Sequence, residues 1–392
     1  MTKTPRSVFS DLRGFSQLTV DAVAGVTDIV EDMHRNIAGV APIVGKAPTG
    51  RTTGITGLVY RSVRGVTRAV GLGLDVALGQ LAPLLRRSES SARREAVLAA
   101  LNGVLGDYLL ATHNPLAIPM QLRQQGQALV LERAALAANP ALQGDRLLVL
   151  VHGLCMNDLQ WTREGHDHGA ALAQDLDYTP LYLHYNTGLH IAANGRELAG
   201  LLEQLVQAWP VPVRELVIVG HSMGGLVARS ACHCAAQSGH GWLQCLKALV
   251  FLGTPNLGAP LERAGSRADM LLGISPYTAP FVRLGKIRSQ GIQDLRHGHL
   301  QDEAAAAPVP LPEGVPCFAI AASQQAKPGA NLQRLRGDGL VPVRSALGQH
   351  KDPALALPIP PSHQAICYGI GHFDLLSSRE VYDHLRRWLT AG

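Results

Sequence analysis

The feature that most constrains this chain is a short apolar run that ends at a serine placed between two glycines. The run Leu-Val-Ile-Val at 216–219 is followed by Gly220-His221-Ser222-Met223-Gly224, and helix-compatible residues resume at once. A run of this kind predicts a buried strand. The glycines let neighbouring backbone pass close to the serine, because they carry no side chain. The pattern therefore predicts a strand that turns sharply into a helix, with the hydroxyl of Ser222 exposed at the turn.

This turn has a chemical consequence for the groups around the serine. The first amides of the following helix point at it, so the N–H of Met223 can donate to an oxyanion while the helix N-terminus favours negative charge there. A Gly-x-Ser-x-Gly pattern is common by chance, but a strand before it and a helix after it supply the context that the motif requires. Ser222 is therefore the candidate nucleophile, and Met223 a candidate oxyanion-hole donor.

Bulk properties exclude several classes of protein. The 392 residues allow one large α/β domain with additions. No apolar run reaches the roughly 18 residues of a membrane-spanning helix, and the first residues lack the apolar segment of a secretory signal, so we expect neither. The six cysteines are spread over mostly apolar stretches, which indicates free thiols in a reducing compartment such as the cytoplasm. Cys232 and Cys234 do not share a helix face, so no metal site is predicted.

The N-terminal region differs from the rest of the chain in charge. Residues 1–95 carry 13 Lys and Arg against 8 Asp and Glu, which accounts for the whole net charge of +5. Apolar residues recur at helical spacing over 26–40 and again over 55–81, where three arginines share another side. These amphipathic helices either pack on their own protein or form an interfacial anchor that meets anionic lipid. No nucleic-acid motif is present, so no nucleic-acid partner is predicted.

From about residue 96, segments typical of strands and helices alternate. The predicted strands are 128–131, 147–151, 180–185, 216–219, 246–252, 317–321 and 364–368, and the main predicted helices are 191–209, 226–236 and 378–389. This alternation predicts an α/β catalytic domain over 96–392, with a mainly parallel sheet covered by helices on both faces. The alternation stops over 257–312, and long insertions are usually functional, so we interpret this segment as a helical lid. Residues 1–95 form an N-terminal helical extension.

Two loops are predicted to lie beside the serine. The strand at 147–151 leads into His152-Gly153-Leu154, where the N–H of Leu154 is well placed as the second oxyanion donor. We expect His152 to be a structural hydrogen-bonding residue rather than the base. Tyr185 and Asn186 end a strand at the edge where α/β sheets bind ligands, although Asn186 is equally typical of a plain turn. The candidate substrate-pocket residues are His152, Tyr185, Asn186 and His221.

Asp338 and His372 are the candidate partners of Ser222. Asp338 lies between two glycines after a predicted strand, free to turn inward and accept a hydrogen bond from a histidine. The same Asp-Gly pair also fits a tight turn. His372 follows the last predicted strand, which gives the chain order Ser, Asp, His. The competing residues are Asp294, Asp302, Asp352, Asp374 and His363, the last of which precedes that strand.

Five motifs, taken in order, resemble those of α/β-hydrolases of the lipase and esterase kind. They are His152-Gly153, Gly-His-Ser-Met-Gly-Gly at 220–225, Phe-Leu-Gly-Thr-Pro-Asn-Leu-Gly at 251–258, Gly-Asp-Gly-Leu-Val-Pro at 337–342 and Gly-His-Phe at 371–373. The resemblance covers about residues 127–392 and is greatest to intracellular bacterial lipases and to inositol-deacylase-like and acylglycerol-lipase-like hydrolases. It implies an α/β-hydrolase fold and a Ser222, Asp338 and His372 triad, with oxyanion amides from Leu154 and Met223.

The leading hypothesis is a serine hydrolase that cleaves carboxylic esters, with acyl lipids as the expected substrates, through an acyl-enzyme at Ser222. No cofactor is expected, since the predicted triad and oxyanion hole supply the chemistry. One alternative is thioester hydrolysis or acyl transfer by the same residues. Another is a non-catalytic protein that binds lipid surfaces or granules through its N-terminal helices. The sequence gives no prediction of oligomeric state.

Overall fold

The structure, a computed structural model, describes residues 92–257, 289–297, 300, 309–326 and 337–390. The N-terminal helices predicted before residue 92, and most of the predicted lid, lie outside these residues and stay predictions. None of the described helices is long and apolar enough to cross a membrane.

The chain divides into two units, and the described residues fall mainly in one of them. That unit comprises residues 91–108 and 118–392, whereas residues 109–117 belong to the other. Within 109–117, the side-chain oxygen of Asn114 accepts a hydrogen bond from the N–H of Leu116 at 2.9 Å. The sheet and the candidate site described below lie entirely in the first of these units.

An eight-stranded sheet forms the centre of that unit. Its strands are β1 (Gln121–Gln124), β2 (Gln127–Ala128), β3 (Arg146–Val151), β4 (Thr179–His184), β5 (Glu215–His221), β6 (Leu246–Leu252), β7 (Cys317–Ser323) and β8 (Gln364–Tyr368). Their order is β2-β1-β4-β3-β5-β6-β7-β8. The six strands β3 to β8 are parallel to one another, and β1 is antiparallel to both of its neighbours, β2 and β4. The predicted mainly parallel sheet is confirmed, and its carboxyl edge gathers the loops that carry the candidate site.

Eight α-helices are described. They are α1 (Ala92–Ala111), α2 (Arg133–Ala137), α3 (His168–Leu176), α4 (Ile191–Ala208), α5 (Met223–Ser238), α6 (Gln290–His297), α7 (Val343–Ala346) and α8 (Arg379–Thr390). Short 3-10 turns lie at Pro140–Leu142, Asp158–Trp161, Gly241–Cys245, Pro353–Leu355, Pro361–His363 and Asp374–Leu376. Helix α1 bends at Leu105, where φ is −126° and ψ is 15°.

The core lies on both faces of the sheet, because successive side chains of a strand point to opposite sides. Val149 of β3 belongs to a buried cluster with residues of α4 and α5. Its neighbour Leu150 belongs to a second cluster with residues of α3 and α8. Both side chains are fully buried, and each such burial stabilises the fold by about 1.5–3 kcal/mol. Burial on two faces explains why these strands read as continuous apolar runs.

The strand predicted at 128–131 is wrong. The structure has an edge hairpin of β1 and β2 instead, in which only Ala128 of the predicted segment takes part. Its turn, Gln125-Gly126, has φ of 50° and 76°, the left-handed pair that two-residue hairpins require. The hairpin strands are polar because they lie at the solvent-facing edge of the sheet, so they lack the apolar pattern by which strands are recognised. Leu129 and Leu131 pack on the core from a loop.

Candidate active site

The turn between β5 and α5 has the strained geometry that its sequence predicts. Ser222 lies between these elements with φ 54° and ψ −125°, a conformation that residues other than glycine rarely adopt. A Cβ atom added to Gly224 would overlap the carbonyl oxygen of Val151, and one added to Gly220 would overlap the backbone of Gly225. Both glycines are therefore required by close backbone approach, and they hold Ser222 at the carboxyl edge of the sheet.

Replacing Gly224 by alanine is expected to lower the free energy of unfolding by about 1–3 kcal/mol or more, because the new methyl group meets rigid backbone. Gly200, in the middle of α4, is the matched control, since an added Cβ there meets no atom within 4 Å. Gly200→Ala is expected to be neutral or to stabilise by about 0.5–1 kcal/mol. Urea unfolding of both variants measures the difference. Equal effects would contradict the tight packing of the turn.

Asp338 and His372 form a direct pair at the same edge. His372 Nδ1 lies 2.7 Å from Asp338 Oδ2, and both side chains are buried. The other carboxylate oxygen, Oδ1, accepts hydrogen bonds from the backbone N–H groups of Leu340 at 2.9 Å and Val341 at 2.7 Å. These bonds fix the carboxylate so that it accepts the Nδ1 proton of His372. The Nε2 atom is then left as the basic nitrogen.

The backbone of His372 is held next to Ser222 by His221. His221 Nε2 lies 3.2 Å from the carbonyl oxygen of His372, so this nitrogen carries the proton and donates it. The two imidazole rings are 4.7 Å apart between centroids. His372 Nε2 has no hydrogen-bond partner among the described residues. In this conformation His372 therefore makes no hydrogen bond to the hydroxyl of Ser222.

The pKa of His221 lies well below its usual range. Burial is the largest cause, and the nearby His372 is the next largest. His221 is a buried neutral residue that positions the loop carrying His372. From the sequence it was predicted only as a pocket residue. No local signal in the sequence predicts this role, since the contact joins the turn between β5 and α5 to a loop about 150 residues later.

The loop that carries Leu154 passes directly beside the turn at Ser222. A Cβ added to Gly153 would lie 3.0 Å from the Cβ of Ser222. The next residue, Cys155, has a left-handed φ of 59°, and its N–H donates to the hydroxyl of Thr187 at 3.1 Å. Thr187, which the sequence analysis missed, thus holds the loop in which Leu154 was predicted to be an oxyanion donor. The N–H of Met223 belongs to the first turn of α5, where amides have no acceptor within the helix.

The other predicted pocket residues have their polar groups bound to backbone. Tyr185 stacks on His152 at 4.6 Å, and its hydroxyl donates to the His152 carbonyl at 2.8 Å. Asn186 donates to the carbonyl of Gly106 at 2.9 Å and accepts from the N–H of Gly188 at 3.0 Å. These contacts agree with the turn interpretation of Asn186. Burial lowers the pKa of His152 to about 3, so a neutral structural role agrees with its buried position.

The competing acids and histidine have other partners. Asp294, Asp352 and Asp374 each accept a hydrogen bond from a nearby backbone N–H. Of the aspartates that the structure describes, only Asp338 is hydrogen bonded to the His372 ring; Asp302 lies outside them. The Nδ1 atom of His363 is 3.2 Å from the carbonyl oxygen of Cys317, at the amino end of β7. That is the opposite edge of the sheet, as the sequence predicts.

A cavity of about 280 Å³ opens beside the Asp338 and His372 pair. Arg163 lines it, with its guanidinium 5.8 Å from the ring centroid of Phe373 and 3.9 Å from Asp374. Arg163 was not predicted from the sequence, because no local pattern relates it to the loop that carries His372. A larger cavity, of about 560 Å³, lies around Cys317 at the amino end of β7, away from this pair.

His168 ties α3 to the turn that follows His372. Its Nε2 lies 2.9 Å from the carbonyl oxygen of Leu375, so Nε2 donates there. Its Nδ1 then accepts from Nε2 of His166, at 2.8 Å. Burial lowers the pKa of His168 to about 4, which keeps the ring neutral at pH 7.

Acidification is expected to destabilise the protein through His168. The unfolded state binds this proton near pH 6.5, whereas the folded state binds it near pH 4, so stability falls as the pH drops through that window. The full loss from this residue is about 3 kcal/mol. In melting curves between pH 7 and pH 4.5, His168→Gln should be less stable at pH 7 but show a shallower loss, while the exposed His350→Gln should keep the wild-type slope. An unchanged slope in His168→Gln would contradict this assignment.

The strand order, the strained serine turn and the buried acid–histidine pair define an α/β-hydrolase fold. Residues 143–279 match the family model of the PGAP1-like alpha/beta domain. No curated protein sequence matches the chain.

Several solved structures are similar to part of the chain. A Thermogutta terrifontis esterase with malate bound is 16% identical, with 70% of this chain and 93% of that chain covered and a TM-score of 0.39. A Pyrococcus furiosus esterase is 14% identical, with coverage of 63% and 82% and a TM-score of 0.40. Aspergillus fumigatus lipase B is 12% identical, with coverage of 59% and 46% and a TM-score of 0.34.

Proposed function

We propose that the chain is a serine hydrolase that cleaves carboxylic esters with Ser222 as nucleophile, His372 as base and Asp338 as the residue that orients the base. The observation that carries this proposal is the buried 2.7 Å contact of Asp338 with His372, at the sheet edge where Ser222 lies on a strained turn. Buried acid–histidine contacts of this kind, placed beside a serine hydroxyl, activate the serine for acyl transfer.

The proposed reaction has two halves. The hydroxyl oxygen of Ser222 attacks the ester carbonyl, and Nε2 of His372 takes its proton. The backbone N–H groups of Met223 and Leu154 receive the negative charge that develops on the carbonyl oxygen. His372 returns the proton to the leaving alcohol, which leaves an acyl-enzyme on Ser222. Water, deprotonated by His372, then releases the carboxylic acid and restores the free serine.

We propose acyl lipids as the substrate class. The support is the sequence insertion at 257–312, which follows β6 in the chain, together with the amphipathic pattern predicted for the N-terminal region. Hydrolysis of p-nitrophenyl esters from acetate to palmitate, with an acyl-thioester of matched chain length, tests this. Faster turnover of long-chain esters than of short ones is expected. A preference for acetate would contradict a lipid substrate, and a preference for the thioester would favour the thioesterase alternative.

A fluorophosphonate probe tests the nucleophile independently of the substrate. The probe is expected to form a stable adduct on Ser222, located by peptide mass spectrometry after digestion. Labelling of Ser222 without ester turnover would retain the nucleophile and reject the substrate class. The absence of both labelling and turnover would favour the non-catalytic alternative.

We also propose that the N-terminal region makes peripheral contact with anionic lipid. The three arginines on its polar side are Arg61, Arg64 and Arg68. The full chain is expected to float with anionic vesicles, and a variant with these three residues changed to glutamine is expected to float less, because each basic residue near such a surface contributes about 1 kcal/mol. Equal flotation of both proteins, or equal binding to neutral vesicles, would contradict the anchor.

A further inference from the structure

Three potential metal ligands, one on β8 and two on the helix that follows it, meet where β8 packs on α8. The thiol of Cys367, the carboxylate of Glu380 and the imidazole of His384 each offer one ligand atom, and these atoms lie within 4.8 Å of one another. Glu380 and His384 are four residues apart on α8, so they project from the same helix face. Cys367 faces them from β8, inside the buried cluster that α8 covers.

From this geometry we propose a zinc-binding site formed by Cys367, Glu380 and His384. A thiolate and an imidazole are ligands that zinc accepts together with a carboxylate, whereas calcium and magnesium prefer oxygen ligands alone. Zinc bonds to such ligands are about 2.0–2.3 Å long, so the three atoms would close in slightly around the ion, with water as the fourth ligand. The site is distinct from Ser222, Asp338 and His372, and it does not depend on the proposed ester hydrolysis.

The surroundings allow an ion to enter from one side. Cys367 is buried, His384 is partly buried, and Glu380 is exposed, so the pocket opens to solvent along α8. The Cys367 side chain binds a metal ion as the thiolate, so the thiol must lose its proton when an ion binds. Zinc binding forms the Zn–S bond and releases that proton to solvent.

One neighbour opposes the ion. Arg387 lies 2.8 Å from His384 Nδ1, one turn further along α8, and donates to it. Neutral His384 then carries its own proton on Nε2. Binding of the ion by either nitrogen requires the Arg387 bond to break, and Arg387 is exposed and free to turn outward. Replacing Arg387 by glutamine removes a repelling charge and should tighten zinc binding.

The site has a structural consequence for the catalytic loop. Cys367 lies before the segment that carries His372, and Glu380 lies after it. An ion bound to both would tie the two ends of that segment together. Zinc that binds only the folded state raises its stability in proportion to occupancy, so we expect the melting temperature to rise with zinc concentration.

Cobalt replaces zinc in the test, because thiolate ligation gives Co²⁺ a charge-transfer band in the near ultraviolet. The full-length wild type is expected to show this band, and zinc is expected to abolish it. Cys367→Ser should lose the band, while the control Cys245→Ser, in the 3-10 turn before β6, should keep it. Glu380 is exposed and His384 is only partly buried, so Glu380→Gln and His384→Gln remove little buried surface. Each should weaken zinc binding by more than the roughly 10–100-fold that loss of an outer-shell partner costs.

The same proteins are melted with and without zinc, and with magnesium as the comparison cation. We expect zinc to raise the melting temperature of the wild type. This rise should be absent in His384→Gln and larger in Arg387→Gln. A wild type without the cobalt band, or a band that survives in Cys367→Ser, would overturn the proposal. Zinc binding that none of these substitutions changes would show adventitious binding to other histidines and would overturn it equally.

Discussion

Ser222→Ala is expected to lower kcat for ester hydrolysis by at least about a thousandfold, since removing a triad nucleophile leaves only the rate enhancement of binding and the oxyanion hole. The fold should persist, because alanine fills the same turn. Ser222 sits at φ 54°, however, where a side chain is strained, and neither residue relieves that strain. The measurement is single-turnover and steady-state hydrolysis of a p-nitrophenyl ester, with far-ultraviolet circular dichroism to compare the folds.

Ser230→Ala is the matched control for Ser222. It lies on α5, the helix that begins directly after Ser222, and its hydroxyl donates to the carbonyl of Leu300 at 3.1 Å. This substitution removes a buried hydroxyl from α5 without touching the proposed nucleophile, so kcat should stay close to wild type even if stability falls by about 1 kcal/mol. If Ser222→Ala kept wild-type turnover, or if Ser230→Ala lost as much activity, the assignment of Ser222 as nucleophile would be wrong.

The second large effect is expected from Asp338→Asn. The Oδ1 position accepts two backbone N–H groups, from Leu340 and Val341, so an asparagine must place its carbonyl oxygen there. Its NH₂ group then faces His372 Nδ1, which can only accept. The His372 proton is forced onto Nε2, the atom that must receive the proton of Ser222. A loss in kcat of about 10⁴-fold is expected, by analogy with the same substitution in other Ser-His-Asp triads.

Asp374→Asn separates this effect from a general loss of negative charge at the site. Asp374 lines the same cavity as Asp338, but its carboxylate accepts from the backbone of Gly371 and does not bond to the His372 ring. Its substitution should therefore cost far less activity. Comparable losses in the two variants would indicate that charge in the cavity, and not the tautomer of His372, controls the reaction. Thermal melts of both proteins show whether either loss comes from unfolding.

The parts of the fold that the sequence predicts well are those in which local pattern and burial agree. The strand predicted at 246–252 has the same bounds in the structure, because the run from Ala248 to Leu252 is both apolar and buried. The predicted helix at 191–209 ends one residue earlier. The edge hairpin was not predicted, for the opposite reason. Polar strands at an edge bury little and leave no hydrophobic signal in the sequence.

By itself, the sequence determined the α/β class, the strained turn at Ser222 and the order of the candidate site residues, because close packing of a turn and burial of a strand each act over a few neighbouring positions. Only the tertiary structure decided which side chains touch across the sheet. His221 contacts the backbone of His372, and Thr187 holds the loop that carries Leu154. Both contacts join segments that the strand order brings together. Such contacts depend on register and helix packing over the whole domain, and no local pattern encodes them.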